Sequence, residues 1–310
     1  MKVFLTGGRG MVGRAIREHA GARGHQIVAP TSDELDLTDR PAVMAALAAE
    51  RPDLVIHAAG RVGGIQANIA HPAAFLTENM DMGLNVVMGA RAAGVTQLLN
   101  LGSSCMYPHD APNPLAEESL GHGALEPTNE GYGLAKLAVA RLCSFVAREQ
   151  PELVYRTLIP CNLYGLHDKF DPKVSHLLPA IIRKIHEANT RGDDTVEIWG
   201  DGTARREFMF AADLADAVWY MAARIGTLPD CLNIGPGHDH SINDYYAEAA
   251  RVIGWEGTFT HDLSRPAGMR RKLMSVERQK ALGWAPATSL ADGIAQTYAH
   301  FLDRVERGEA

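Results

Sequence analysis

The chain has 310 residues, 46% hydrophobic, 22% charged and only 6% aromatic, the profile of a folded soluble protein rather than a disordered, collagenous or membrane one. Its 30 Lys+Arg against 37 Asp+Glu leave a formal net charge of −7, which argues against nucleic acid or an anionic membrane as the main partner, because both select a basic excess. The four cysteines, Cys105, Cys143, Cys161 and Cys231, are widely spaced with no C-x-x-C pair. They match neither a disulfide framework nor a zinc site, so no metal and a reduced compartment are expected.

Met1-Lys2 passes at once into the strand-like Val3-Phe4-Leu5-Thr6, leaving no room for a signal or transit peptide. No apolar run reaches the ~18–20 residues that span a bilayer, and a cytoplasmic protein is expected. Strand patterns over 2–6, 26–29, 53–58, 96–101 and 154–160 alternate with helical ones near 11–22, 40–50, 75–93 and 131–149. The second helix follows a capping candidate, Asp39, with Pro41 close behind. Such alternation predicts βαβ units and an α/β, doubly wound parallel sheet of the Rossmann type, covered on both faces.

Beyond residue 165 the texture shifts to shorter elements with more Gly, Pro and charge. A helix near 174–189, a strand at 196–199 and helices near 212–224, 242–253 and 289–306 are expected. At ~100–200 residues per domain, residues 1–165 form the cofactor-binding domain and 166–310 a smaller, mixed α/β, mainly substrate-binding one. Segments near 205–235 return to the first, and a cleft lies between the two.

Thr6-Gly7-Gly8-Arg9-Gly10-Met11-Val12-Gly13 follows the first strand and opens the first helix. Glycine permits the tight turn and close backbone approach to a pyrophosphate, while the helix N-terminus offers unpaired N–H groups to it. The second strand ends Val28-Ala29-Pro30-Thr31-Ser32, with no carboxylate before Asp33 to grip a ribose 2′-hydroxyl. Arg9 can bind a 2′-phosphate instead. NADP(H) is therefore expected over NAD(H).

Tyr132 and Lys136 are four residues apart in a helical stretch and share one face. A free tyrosine has a pKa near 10, and a neighbouring cation is expected to lower it toward catalytic use. Alone, the spacing fits a solvated helix face equally well. Joined to the nucleotide turn and to Ser103-Ser104 past the end of the 96–101 strand, where open α/β sheets bind ligands, it points to acid–base chemistry.

With these segments the chain resembles the extended short-chain dehydrogenase/reductase superfamily, and within it the GDP-L-fucose synthases, nearly end to end. The resemblance is carried by Arg9 to Gly13, Val62-Gly63-Gly64-Ile65 with Asn68, Leu101 to Pro108, Glu126 to Lys136, Asn162-Leu163-Tyr164-Gly165 with His167-Asp168, and Trp199-Gly200 through Arg206-Glu207-Phe208. It implies epimerisation at C3 and C5 of GDP-4-keto-6-deoxy-D-mannose, then reduction at C4 with NADPH. A related GDP-4-keto dideoxy sugar or heptose, or loss of epimerisation, is the alternative; a non-catalytic NADP(H)-sensing module is a more distant one.

Under that implication Tyr132 protonates the C4 oxygen while Ser103 hydrogen-bonds it, and the same pair stabilises the enolates. Cys105 and His176 are the epimerisation pair; their unperturbed pKa values of ≈ 8.5 and ≈ 6.5 bracket neutral pH. From the residues alone, Cys105 fits a small buried hydrophobe as well. The resemblance further implies cofactor contacts from Gly7, Gly8, Arg9, Gly10, Met11, Val12, Gly13, Leu37, Ala58, Ala59, Leu101, Gly102, Ser104, Tyr132, Lys136, Pro160, Cys161, Asn162, Leu163 and His176.

Lys184, Trp199, Arg206 and Lys272 are implied to face the GDP-sugar, the cations on the diphosphate and the indole on the nucleotide. Arg270-Arg271-Lys272 either closes over the phosphates or is a solvated loop. Two departures stand out. Pro266-Ala267-Gly268 lacks the family's usual aspartate, and Ser32 stands where bacterial members often have arginine. Helices near 75–93 and 131–149 carry excess apolar surface, and the resemblance implies a homodimer.

Overall fold

The computed structural model describes residues 1–171, 175–264 and 269–309. In chain order its first part runs β1 (Lys2–Thr6), α1 (Met11–Glu18), β2 (Gln26–Val28), α2 (Arg40–Glu50), β3 (Leu54–His57), α3 (Ile65–Ala70), α4 (Pro72–Ala92), β4 (Gln97–Leu101), α5 (Glu130–Glu149), β5 (Val154–Pro160) and β6 (Asn162–Tyr164). It continues with α6 (Leu177–Arg191), β7 (Thr195–Trp199), β8 (Arg205–Arg206), β9 (Phe208–Phe210), α7 (Ala211–Ala222), β10 (Cys231–Ile234), β11 (His240–Ser241), α8 (Ile242–Ile253), β12 (Thr258–Asp262), β13 (Arg271–Lys272), α9 (Glu277–Ala281) and α10 (Leu290–Glu306).

Six strands form one parallel sheet in the order β10-β5-β4-β3-β1-β2. Successive side chains of a strand face opposite sides, and the core obeys this. Val3, Leu5, Leu54, Ile56 and Leu99 join one buried cluster with Ile16 of α1 and Leu214 and Val218 of α7. Phe4, Val55 and Leu98 join another with Leu47 of α2 and Val86 and Val87 of α4. The sheet is thus covered on both faces, as its unbroken apolar strands require. Asp39 caps α2 by accepting from the Ala42 amide at 3.1 Å, with Pro41 in the first turn.

The chain leaves β1 toward β2 on one side and returns to β3 on the other. That reversal opens a crevice at the carboxyl ends of β1 and β3, where open α/β sheets bind ligands. Over it sit short elements: a three-stranded sheet β11-β8-β13, and the pairs β12-β7 and β6-β9. Helices α6, α8 and α10 pack around Phe170, Ile181, Ile185, Ile198, Tyr245, Ile294 and Phe301.

Candidate active site

Gly7 follows β1 at φ +73°, a left-handed conformation that glycine adopts without strain. A Cβ there would lie 2.7 Å from the Ala59 amide nitrogen, and one on Gly13 only 2.1 Å from the Gly7 carbonyl oxygen. The turn is therefore drawn tight against Ala58–Ala59 at the end of β3. α1 starts at Gly10 with no side-chain cap, so the first-turn amides, including those of Met11 and Val12, are left for an external acceptor. Uncapped helix and side-chain-free cradle fit the pyrophosphate of a nicotinamide dinucleotide.

The other cofactor positions implied by the sequence gather along the same strand ends, with one qualification. Leu101 closes β4, and Gly102 is fixed by its amide bond to the Leu158 carbonyl at 2.8 Å. Ser104 is buried, Pro160 closes β5, Cys161 links it to β6, and Asn162 and Leu163 begin β6. Leu37 is packed into the core, its carbonyl accepting from Asn85 Nδ2 at 3.0 Å. Arg9, expected to meet a 2′-phosphate, already faces Asp33 at 3.7 Å; both are well exposed. Solvent makes such a pair weak, so a phosphate dianion can displace the carboxylate.

Ser103, Cys105, Tyr132 and Lys136 converge just beyond β4. Ser103 Oγ accepts from the Cys105 amide at 3.2 Å and lies close enough to the Tyr132 phenol to favour its ionised form. Lys136 lies one helical turn below, its Nζ 5.9 Å from the Tyr132 ring centre, 3.0 Å from the Leu101 carbonyl and 3.5 Å from that of Ala59. Those carbonyls orient the ammonium in a nearly solvent-free spot. Burial depresses the Lys136 pKa to about 8. Behind it His57, held near pKa 3 by burial and then by the Lys136 charge, stays neutral and bonds Thr6 Oγ1 at 2.8 Å.

The expected depression of the tyrosine pKa is not found. Burial outweighs every other influence and the neighbouring Cys105 pushes the same way, so Tyr132 moves up, with only Ser103 opposing. At neutral pH the phenol holds its proton. It is therefore set to donate one.

Cys105 Sγ accepts from Asn129 Nδ2 at 3.3 Å and from Lys272 Nζ at 3.5 Å. The sequence assigns Asn129 no role of its own; its position at the head of α5, three residues before Tyr132, is the available signal. Asn129 Oδ1 and Ser175 Oγ are buried with no hydrogen-bond partner among the described residues, which leaves polar capacity at this end of the molecule. His176 caps the N-terminal end of α6 without a side-chain capping bond. Its pKa lies below that of ordinary imidazole, first through desolvation of the ring and then through the charge of Lys169.

Lys184 on α6 donates to the Glu197 carbonyl on β7, close to Trp199, which is 59% exposed at the end of that strand. Arg206 donates to the Arg205 carbonyl at 2.8 Å, its pKa lowered by burial against the opposing pull of Glu126. A cleft of about 980 Å³ runs between the 109–113 and 126–127 segments and Thr203, Arg205 and residues 269–271. The basic cluster divides. Arg270 and Arg271 line the cleft, Arg271 while paired with Asp239, and Lys272 turns to the thiol. Ala267, in place of the usual aspartate, lies outside the described residues.

Residues 3–235 match the NAD dependent epimerase/dehydratase family. The chain is 50% identical to GDP-L-fucose synthase of Azorhizobium caulinodans, covering 97% of this chain and 96% of that one. It is 47% identical to GDP-L-colitose synthase of Yersinia pseudotuberculosis, over 98% of each. A GDP-6-OMe-4-keto-L-xylo-heptose reductase of Campylobacter jejuni superimposes with a TM-score of 0.90 at 32% identity, over 98% of each chain. The tight glycine turn, the six-stranded parallel sheet and these matches agree: the chain is an enzyme of the NAD dependent epimerase/dehydratase family.

Proposed function

We propose that this enzyme epimerises C3 and C5 of GDP-4-keto-6-deoxy-D-mannose and reduces C4, giving GDP-L-fucose. The observation that carries it is the junction of two chemistries in one place. The Ser103–Tyr132–Lys136 group suits a carbonyl reduction, and a thiol on the same turn suits proton transfer at the neighbouring carbons. The 50% identity to a GDP-L-fucose synthase supports this substrate.

The cofactor is NADP(H), held by the Gly7–Gly13 turn with Leu37, Ala58, Ala59, Leu101, Gly102, Ser104 and residues 160–163. Bound there it supplies the hydride that reduces C4. Tyr132 gives its proton to the C4 oxygen, Ser103 hydrogen-bonds that oxygen, and Lys136 compensates the charge left on the phenol. During epimerisation the thiolate of Cys105 takes a proton from carbon beside the ketone. The electron pair runs into the C4 oxygen, where Tyr132 and Ser103 stabilise it. His176 returns a proton from the opposite face. Lys184, Trp199 and Arg206 face the GDP moiety.

Residues 1–165, with 205–235 returning, form the cofactor half and the remainder the substrate half. Met80 and Leu84 on α4 and Leu134 and Phe145 on α5 are exposed large apolar side chains on two helices that pack together; a second copy covers them in a homodimer. No helix among the described residues is long and apolar enough to cross a membrane. The four unpaired cysteines fit the reducing cytoplasm.

A second reading has its own support in the 47% identity to a colitose synthase and the likeness to a heptose reductase: the same chemistry on a GDP-4-keto dideoxy sugar or heptose. Comparing kcat/KM for the three GDP-4-keto sugars with NADPH, with products identified by NMR, separates the two. Highest kcat/KM on the 6-deoxymannose form, yielding GDP-L-fucose, is expected. Preference for another sugar selects the second reading, and no NADPH oxidation with any of them refutes both.

A further inference from the structure

Lys272 reaches Cys105 across 167 residues of sequence, Nζ to Sγ 3.5 Å. The strand pair that carries it explains the aim. β13 runs parallel to β8, with Arg271 beside Arg205 and Lys272 beside Arg206. Neighbouring residues of a strand face opposite ways. Arg205 and Arg271 both turn to Asp239, Nε to Oδ1 at 2.8 Å and Nε to Oδ2 at 2.5 Å. The Asp239 side chain is 2% exposed, so it clamps the two strands from one side and leaves Lys272 for the other.

The backbone after Lys272 is tied as well. The Leu273 amide donates to Asn113 Oδ1 at 2.8 Å and the Met274 amide to Glu207 Oε2 at 2.9 Å. An ammonium held by this much surrounding structure is directed at the sulfur. Asn129 Nδ2 is the second donor to it, from the head of α5. Ionisable neighbours come from three further places. Tyr132 on α5 lies within electrostatic reach of Cys105, while Cys161 after β5 senses both Lys272 and Glu207, the latter lying between β8 and β9. Burial holds Tyr132 and Cys161 protonated at neutral pH. Donors and a cation favour thiolate over thiol.

We propose that Lys272 is a positioning residue that holds Cys105 as a thiolate, rather than a ligand for the diphosphate of the sugar nucleotide, with Asp239 clamping the strand pair that aims it. The assignment rests on the role given above to Cys105 in proton transfer. A sulfur kept ionised takes the carbon-bound proton directly; as a thiol it can later return one.

The test is the rate of iodoacetamide alkylation of Cys105 from pH 5 to 10, read by mass spectrometry of its peptide in the full-length, substrate-free protein. In Lys272→Met the whole profile moves about one pH unit toward alkali, so the rate at pH 7 falls several-fold and converges with wild type at high pH. Lys272→Arg, which keeps the charge, stays near wild type. Should the methionine variant not fold, Lys272→Gln makes the same measurement. Superimposed profiles for wild type and the uncharged variant overturn the proposal, including the case where only KM for the GDP-sugar has risen. Solvent deuterium entering the product of wild type but not that of Cys105→Ser reads the Cys105 role separately, so either assignment can fail alone.

Discussion

Replacing Glu207 by glutamine removes a buried proton-binding site and should change how stability depends on pH. Glu207 is 1% exposed, and its two oxygens accept the Gly237 and Met274 amides, each at 2.9 Å. Burial dominates these two bonds and lifts the pKa from 4.5 to about 7. The unfolded chain sheds this proton near pH 4.5 and the folded one near 7. Between those values the unfolded state binds fewer protons, so stability falls as pH rises. At about 1.4 kcal/mol per pH unit, the span of about 2.5 units is worth about 3 kcal/mol.

Glutamine cannot titrate. Its amide N–H₂ opposes one backbone donor, a constant handicap of about 1–3 kcal/mol that leaves the slope untouched. Urea unfolding of both proteins at pH 5, 6, 7 and 8 provides the difference in stability at each pH. That difference is the quantity to follow, because Asp168, with a pKa raised to about 6 by burial, titrates in both proteins. The wild type should lose about 2.5 kcal/mol relative to Glu207→Gln between pH 5 and 8. A difference that stays flat with pH would refute the claim that Glu207 is held protonated by burial.

Tyr132→Phe should keep NADPH affinity nearly intact, measured by thermal shift, while turnover falls ~10²-fold or more; undiminished turnover would remove Tyr132 as the proton donor. Cys105→Ser should lose solvent-deuterium uptake yet still reduce an already epimerised ketone, and equal loss of both half-reactions counts against the assignment. Gly13→Ala pushes a methyl group to 2.1 Å from the Gly7 carbonyl oxygen, so the turn must open. NADPH should then protect the variant against thermal unfolding far less than wild type, and equal protection would show that the turn does not hold the dinucleotide.

Much of the sheet could be read from the chain because its strands are apolar runs bounded by breakers. Residues 154–160 form β5 as expected, 40–50 form α2, and 242–253 form α8. The six-residue α3 escaped, being too short to show helical periodicity, and its loop-like Val62-Gly63-Gly64 prefix masked its start. The two-residue strands β8, β11 and β13 carry no pattern at all; tertiary contacts such as the Asp239 clamp create them.

At the site, Ser103, Cys105, Tyr132 and Lys136 were visible because each lies in a local motif, and the fold brings those two motifs together. The tyrosine pKa moves opposite to the direction its spacing predicts, since spacing reports the nearby cation but not the burial that outweighs it. Nothing local in Arg206-Glu207-Phe208 marks Glu207, because a carboxylate reveals its burial only once β9 and residues 235–237 are in place. The Lys272–Cys105 contact joins distant segments, and no local spacing could announce it.

The central claim is that one site both epimerises and reduces. Incubating the enzyme with GDP-4-keto-6-deoxy-D-mannose and NADPH in deuterated water tests it most directly. The account predicts a product carrying deuterium at both C3 and C5 together with hydride from the cofactor at C4. A reduced product free of deuterium at C3 and C5 would contradict it.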